Sequence, residues 1–168
     1  MKRVLITGMS GTGKSTVLRL LGERGFDTVS TDDGWCEWQT SPGETEPGWI
    51  WHEDRMRALL RAPRDRPLFV DGTVSNQGKF YPLFDHVVLL SAPAQTILER
   101  VRTRTTNPYG KTAAEQSEIL HYLQTVEPLI RRGLRPSTDM EIRTAEMSAE
   151  QVGDQLAALA QSATTSPT

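Results

Sequence analysis

At 168 residues the chain is long enough for one compact domain with a hydrophobic core of its own. A formal net charge of -2, from 19 basic and 21 acidic side chains, excludes the broad positive surface that grips duplex nucleic acid, and the single cysteine, Cys36, excludes an intramolecular disulfide or a cysteine-rich zinc site. No apolar run reaches membrane-spanning length and Val4 to Ile6 is too short for a signal-peptide core, so a cytoplasmic monomer or weak dimer with no membrane partner is expected.

In chain order, β-type runs fall at Arg3 to Thr7, Asp27 to Thr31, Pro67 to Asp71, His86 to Leu90 and Met140 to Thr144. Between the first two, a helix should open near Gly13, bury Val17, Leu18, Leu20 and Leu21, and end within Gly22 to Gly25. A second helix is expected over His52 to Arg61. After the fourth strand, Ile97, Leu98 and Val101 form a stripe that runs into Arg100, Arg102 and Arg104. Thr112-Ala113-Ala114-Glu115 has the pattern of a capping box, in which threonine and glutamate satisfy each other's free amides. The helix it opens should bury Ile119, Leu120, Leu123 and Val126 and bend or end at Pro128. Ser148 to Gln151 forms another such box, before a helix that buries Val152, Leu156 and Leu159.

Strands alternating with helices predict a parallel sheet covered on both faces, with ligands at the carboxyl ends of its strands. Residues 1–161 are expected to form one domain and 162–168 a flexible polar tail. Two connections, Asp32 to Ile50 and Thr103 to Lys111, are longer than packing requires and suggest binding loops or lids.

The strongest motif is Gly8-Met9-Ser10-Gly11-Thr12-Gly13-Lys14-Ser15, a complete G-x-x-x-x-G-K-[ST] lying after a strand and before a helix. Glycines let successive backbone amides and the helix N-terminus point at phosphate oxygens. Gly8, Ser10, Gly11, Thr12, Gly13, Lys14, Ser15 and Thr16 are therefore the candidate phosphate-binding residues. Lys14 would bridge the β- and γ-phosphates of ATP, and Ser15 would ligate magnesium.

With this loop and this element order, nearly the whole chain resembles the P-loop nucleoside monophosphate kinase superfamily, and within it the shikimate kinase-like and adenylate kinase-like groups. The resemblance implies a three-layer α/β/α fold with a five-stranded parallel sheet in the order 2-3-1-4-5. It also implies an acceptor-binding insertion, here about residues 33–62, and a mobile arginine-bearing lid, here about 102–112. ATP and Mg2+ are the implied cofactors, and a small molecule the implied phosphate acceptor.

Shikimate kinase-like proteins carry Asp-x-Asp after the second strand. Here Ser30 or Thr31 stands where the first acid would be, and Asp32 or Asp33 is the second, expected to contact the acceptor hydroxyl. Asp71, ending the third strand, could supply the missing metal-organising carboxylate alongside Ser15 and Asp32. Asp71-Gly72 resembles the Asp-Gly of adenylate kinase-like proteins, although the arginine expected soon afterwards is replaced by Val74 and Ser75. Arg55, Arg57, Gly72 and Gln77 are further acceptor-site candidates, Arg57 lying about where shikimate kinases place a carboxylate-binding arginine. Trp35, Trp38, Trp49 and Trp51 either line a planar acceptor's pocket or pack a small helical subdomain, and packing is favoured. Arg100 and Arg104 share a helix face and are the expected catalytic lid arginines, with Arg102 pointing elsewhere. The resulting expectation is transfer of the γ-phosphate of ATP to a small-molecule hydroxyl. A nucleoside monophosphate acceptor, or an ATP-binding switch without one, is the alternative.

Overall fold

The computed structural model describes residues 1–162. Strand β1 (Arg3–Thr7) is central, and its Val4, Leu5 and Ile6 are fully buried, as a parallel strand covered on both faces requires. Alternation divides these residues between two cores. Val4 and Ile6 meet Val17, Leu18 and Leu21 of α1 (Lys14–Glu23) and Val152 and Leu156 of α6 (Ala149–Gln161). Leu5 turns to the opposite core, with Trp51, Met56, Leu60 and Phe80.

The other strands of this sheet are β2 (Asp27–Ser30), β5 (Leu68–Asp71), β6 (His86–Ser91) and β7 (Met140–Arg143), all parallel, in the order β2-β5-β1-β6-β7. Counting these strands alone, the order is the expected 2-3-1-4-5. Helix α2 (Glu53–Arg61) starts one residue after the expected His52, which serves as its N-cap position. Helices α3 (Ala94–Thr103), α4 (Ala113–Thr125) and α5 (Glu127–Gly133) complete the shell. Both capping boxes form, at Thr112/Glu115 and Ser148/Gln151. The chain breaks between α4 and α5 at Val126, with Pro128 in the first turn of α5, where its missing amide donor costs nothing. Leu120, expected on the buried face of α4, is exposed; Ile119 alone on that helix is fully buried.

The tryptophan-rich insertion is not the small helical subdomain entertained from sequence. It is an antiparallel hairpin of β3 (Cys36–Gln39) and β4 (Gly48–Trp51). Cys36 faces Trp51 and Trp38 faces Trp49. Period-two alternation puts both pairs on one side of the ribbon. Trp51 drops into the core against Phe80, their ring centroids 5.4 Å apart, whereas Trp38 and Trp49 extend past it and are each 57 % exposed.

Asn76 ties this hairpin to the sheet. Buried before the 3-10 turn Gln77–Leu83, it accepts from the Trp51 N–H at 3.0 Å and donates to the Trp51 carbonyl at 3.1 Å, so its amide imitates a neighbouring strand. Replacing Asn76 by Ala strands both buried backbone groups. The expected cost is about 2–3 kcal/mol, a fall in Tm of roughly 5–10 °C, measurable by calorimetry.

Candidate active site

The phosphate loop leaves the carboxyl end of β1 and turns directly into α1. Gly8 has φ 146°, and a Cβ there would lie 2.3 Å from the Leu90 carbonyl oxygen, so no larger residue fits. Gly13 occupies the N-cap position of α1 with a left-handed backbone. Thr73, unrecognised in the sequence, braces the loop: its hydroxyl donates to Gly8 O at 2.8 Å, accepts from Gly8 N at 3.2 Å and lies 3.1 Å from the Thr7 hydroxyl. Thr144, just after β7, braces the other side by donating to Thr12 O at 3.0 Å. Both residues sit immediately beyond strands of this sheet, a position legible only once the strand order is known.

Lys14 folds back over the loop, donating to Gly8 O at 2.5 Å and Met9 O at 3.1 Å. Burial lowers its pKa to about 8, against the opposing pull of Asp71 and Asp32, while Arg104 adds to the lowering. Asp71 is 3 % exposed. Burial raises its carboxyl above the usual range, Ser30 and Lys14 pull it down, and Asp32 pushes it up. The strand register puts Ser30, which stands where an acid was expected on β2, directly beside the carboxyl of Asp71 on the adjacent strand.

A cleft of about 1190 Å³ runs along the loop. It collects Gly8, Ser10, Gly11, Thr12, Gly13, Lys14, Ser15, Thr16, Asp32, Asp71, Gly72, Arg100 and Arg104 from the expected residues. Asp33, Arg55, Arg57 and Gln77 are not part of its lining. Asp33 sits in the turn after β2, its N–H donating to Ser30 O. Arg55 donates to Gly34 O at 2.6 Å and stacks on Trp35, 3.9 Å from the ring centroid; Arg57 pairs with Glu53 at 3.3 Å. Gln77 is buried, its amide nitrogen donating to Thr7 and Tyr81 and its amide oxygen accepting from Val74 N. Gly72 lines the cleft, and packing alone accounts for it: a Cβ there would lie 2.1 Å from the Thr31 hydroxyl.

The expected lid arginines divide the work. Arg100 is engaged with Gly11 O at 3.3 Å and with the Thr144 carbonyl at 2.8 Å, which fixes the loop. Arg104 reaches across to the Ser10 hydroxyl at 3.2 Å and Tyr109 O at 2.7 Å, while its Nε is buried without a partner. Burial lowers its pKa, so an anion beside it would be strongly favoured. Arg102 points away to Gln116. Lys111 closes the end of α3 by donating to the carbonyls of Val101, Arg102 and Arg104, which anchors the loop carrying Tyr109.

Ser15, Asp32 and Asp71 offer hard oxygen donors on one wall, and a buried carboxyl with a raised pKa is a group that a cation would stabilise in its charged form. Magnesium fits this donor set. Among the described residues no cluster of three or more histidine, cysteine or carboxylate side chains is ready-made for a metal, so phosphate oxygens and water would have to complete the shell. No described helix is long and apolar enough to cross a membrane.

The fold is shared with small P-loop kinases of known structure. Shikimate kinase from Acinetobacter baumannii, in complex with shikimate, superposes with a TM-score of 0.64 at 17 % identity, covering 95 % of this chain and 92 % of that one. A gluconokinase from Sinorhizobium meliloti 1021 gives 0.55 at 21 % identity, covering 95 % and 92 %. Deoxyadenosine kinase from M. mycoides with bound dATP gives 0.57 at 17 % identity, covering 95 % and 99 %. No curated protein matches the chain in sequence. Residues 4–121, which include the phosphate loop, Asp32, Asp71 and the segment expected as a lid, match the AAA domain family, and the chain belongs to it.

Proposed function

We propose that the chain is a single-domain kinase that transfers the γ-phosphate of ATP to a hydroxyl group of a small molecule, with magnesium as cofactor. The observation that carries this reading is one continuous cleft that holds the phosphate loop, a carboxylate at one end and a lid arginine over the loop. Phosphoryl transfer demands this arrangement, because most of the rate comes from positioning and from charge placed around the transferring group.

The cleft has two ends. Around Arg100 and Thr144 it is bounded by Met147, Ala149 and Val152, an apolar wall suited to a planar base. Asp32, beyond the edge strand β2, and Trp38 and Trp49 of the hairpin also line it, and we assign the acceptor to this side. In the transfer the acceptor oxygen forms a bond to the γ-phosphorus, the bond from that phosphorus to the β–γ bridging oxygen breaks, and ADP leaves. The hydroxyl proton passes late to Asp32. Lys14 and Arg104 hold the charge that spreads over the γ-oxygens, while closure of the lid excludes water. Arg100 is a positioning residue, acting through Gly11 and Thr144. Ser15, Asp71 and Asp32 are the residues that would hold magnesium, which would supply neutralisation of phosphate charge.

The test is the rate of ATP consumption in the presence of fractionated metabolites. Slow hydrolysis alone, strongly stimulated by one small-molecule fraction with a phosphorylated product, is expected. Stimulation by a macromolecule without such a product would point instead to an ATP-driven switch.

Protonation gives a second check. Polyphosphate needs the charged form of Lys14, whose pKa in the free protein is about 8. ATP affinity should therefore hold below pH 8 and weaken above it by up to about tenfold per pH unit. Calorimetric titration of Lys14→Met should show no such dependence.

A further inference from the structure

Of the charged side chains that line the cleft, Lys14, Arg100 and Arg104 engage the phosphate loop, Asp32 and Asp71 lie at the carboxyl ends of β2 and β5, and Glu118 of α4 accepts from the Tyr109 hydroxyl. The acceptor end has Asp32, Asp71, Trp38, Pro47, Gly48 and Trp49. From Gly25 to Asp54 the chain contains no lysine or arginine, yet Asp32, Asp33, Glu37, Glu44 and Glu46 all fall there. His52 lies 3.3 Å from Glu37. The nearest cations in sequence are turned elsewhere: Arg55 to Gly34 and Trp35, and both Arg57 and Lys79 to Glu53.

Trp38 and Trp49 form an edge-to-face pair, centroids 5.3 Å apart, and present more than half of their surface to the cleft mouth and solvent. Packing within the chain does not account for two such exposed rings, whereas Trp51 on the same ribbon face is fully buried. An indole face carries negative quadrupole charge and attracts a cation. Asp32, which lines the same cleft, adds negative charge on that side and repels anions. A carboxylate or phosphate on the acceptor would meet Asp32, with no lysine or arginine on the hairpin to pair with it.

Resting on the kinase reading above, we propose that the acceptor is a hydroxyl compound bearing a protonated or quaternary amine, its cation held against Trp38 and Trp49 and its hydroxyl turned toward Asp32 and the phosphate loop. The transfer is the one written above: the acceptor oxygen takes the γ-phosphoryl group, ADP departs, and the hydroxyl proton goes to Asp32.

The full chain with magnesium and ATP is offered three probe sets: choline, glucosamine and streptomycin; glycerol, glucose and inositol; shikimate and gluconate. Product mass reports phosphorylation, and tryptophan fluorescence in the presence of ADP reports binding whether or not transfer occurs. The expected result is phosphorylation within the cationic set. Trp38→Ala and Trp49→Ala should each raise KM for that probe by about tenfold with little loss of kcat, and Trp38→Phe, which keeps an aromatic face, should raise it less. Amine binding that quenches fluorescence and weakens in Trp38→Ala, without any phosphorylated product, would uphold this inference while removing the kinase reading. Phosphorylation confined to the neutral or anionic set would overturn the inference and leave the kinase reading standing. Neither binding nor phosphorylation of any amine would overturn it as well.

Discussion

Lys14→Met should lower kcat for phosphoryl transfer by about a thousandfold, the loss typical of removing one preorganised donor from a transition state. It should do so while making the protein more stable at neutral pH. The two effects share one cause. Burial drives the Lys14 pKa from 10.5 to about 8, because an ammonium held there gives up its water. For a lysine whose folded pKa lies below its unfolded value, the folded state binds fewer protons between the two values. Its cost to stability is then fully present below about pH 8 and is relieved as pH rises toward 10.5. Methionine removes that cost, up to about 3 kcal/mol before the lost bonds to Gly8 and Met9 are counted. Thermal melts of the two proteins should therefore differ most near pH 7 and converge by pH 10. A variant that is both inactive and less stable at pH 7 would mean that Lys14 holds the loop together rather than waiting for phosphate.

Asp32→Asn is the second large effect. The side chain is exposed, lines the cleft and accepts no hydrogen bond from the described residues that the substitution would break, so folding should be unaffected. Asparagine keeps the shape and can still orient a hydroxyl, but it cannot take the proton. Turnover should fall by roughly a hundredfold to ten-thousandfold, with ATP affinity changed by less than about threefold. Asp33→Asn is the matched control, since that neighbour lies outside the cleft. Equal losses in both variants would remove the distinction drawn between the two aspartates.

The sheet was legible because its strands are short apolar runs with fixed punctuation. Each expected strand agrees with the observed one to within one residue at either end, and both capping boxes form where Thr112 and Ser148 announce them. The hairpin was not legible. Cys36–Gln39 and Gly48–Trp51 are only four residues each, separated by a polar stretch holding Pro42 and Pro47, and tryptophan at this density reads equally as core or as ligand surface. Only the paired register separates buried Trp51 from exposed Trp38 and Trp49.

The phosphate loop was legible from its motif, since its chemistry resides in consecutive residues. The arginines were not, because spacing says which helix face a side chain occupies and nothing about what it meets there. Arg57 meets Glu53, and Arg100 meets Thr144 from the far end of the chain. The same limit hid Thr73 and Asn76, whose roles depend on contacts with Gly8 and Trp51 across 65 and 25 residues. Asp71 was expected to stand in for the incomplete acidic pair, and the register sets it beside Ser30 because adjacent parallel strands bring their carboxyl ends to one rim.

The most direct measurement is the fate of the γ-phosphate. With γ-labelled ATP, magnesium and a pooled set of small hydroxyl compounds, the wild-type chain should move label into an acid-stable organic product, and Lys14→Met and Asp32→Asn should not. Label appearing only as inorganic phosphate, at the same rate with and without the pool, would contradict the assignment of this cleft to phosphoryl transfer onto a small molecule.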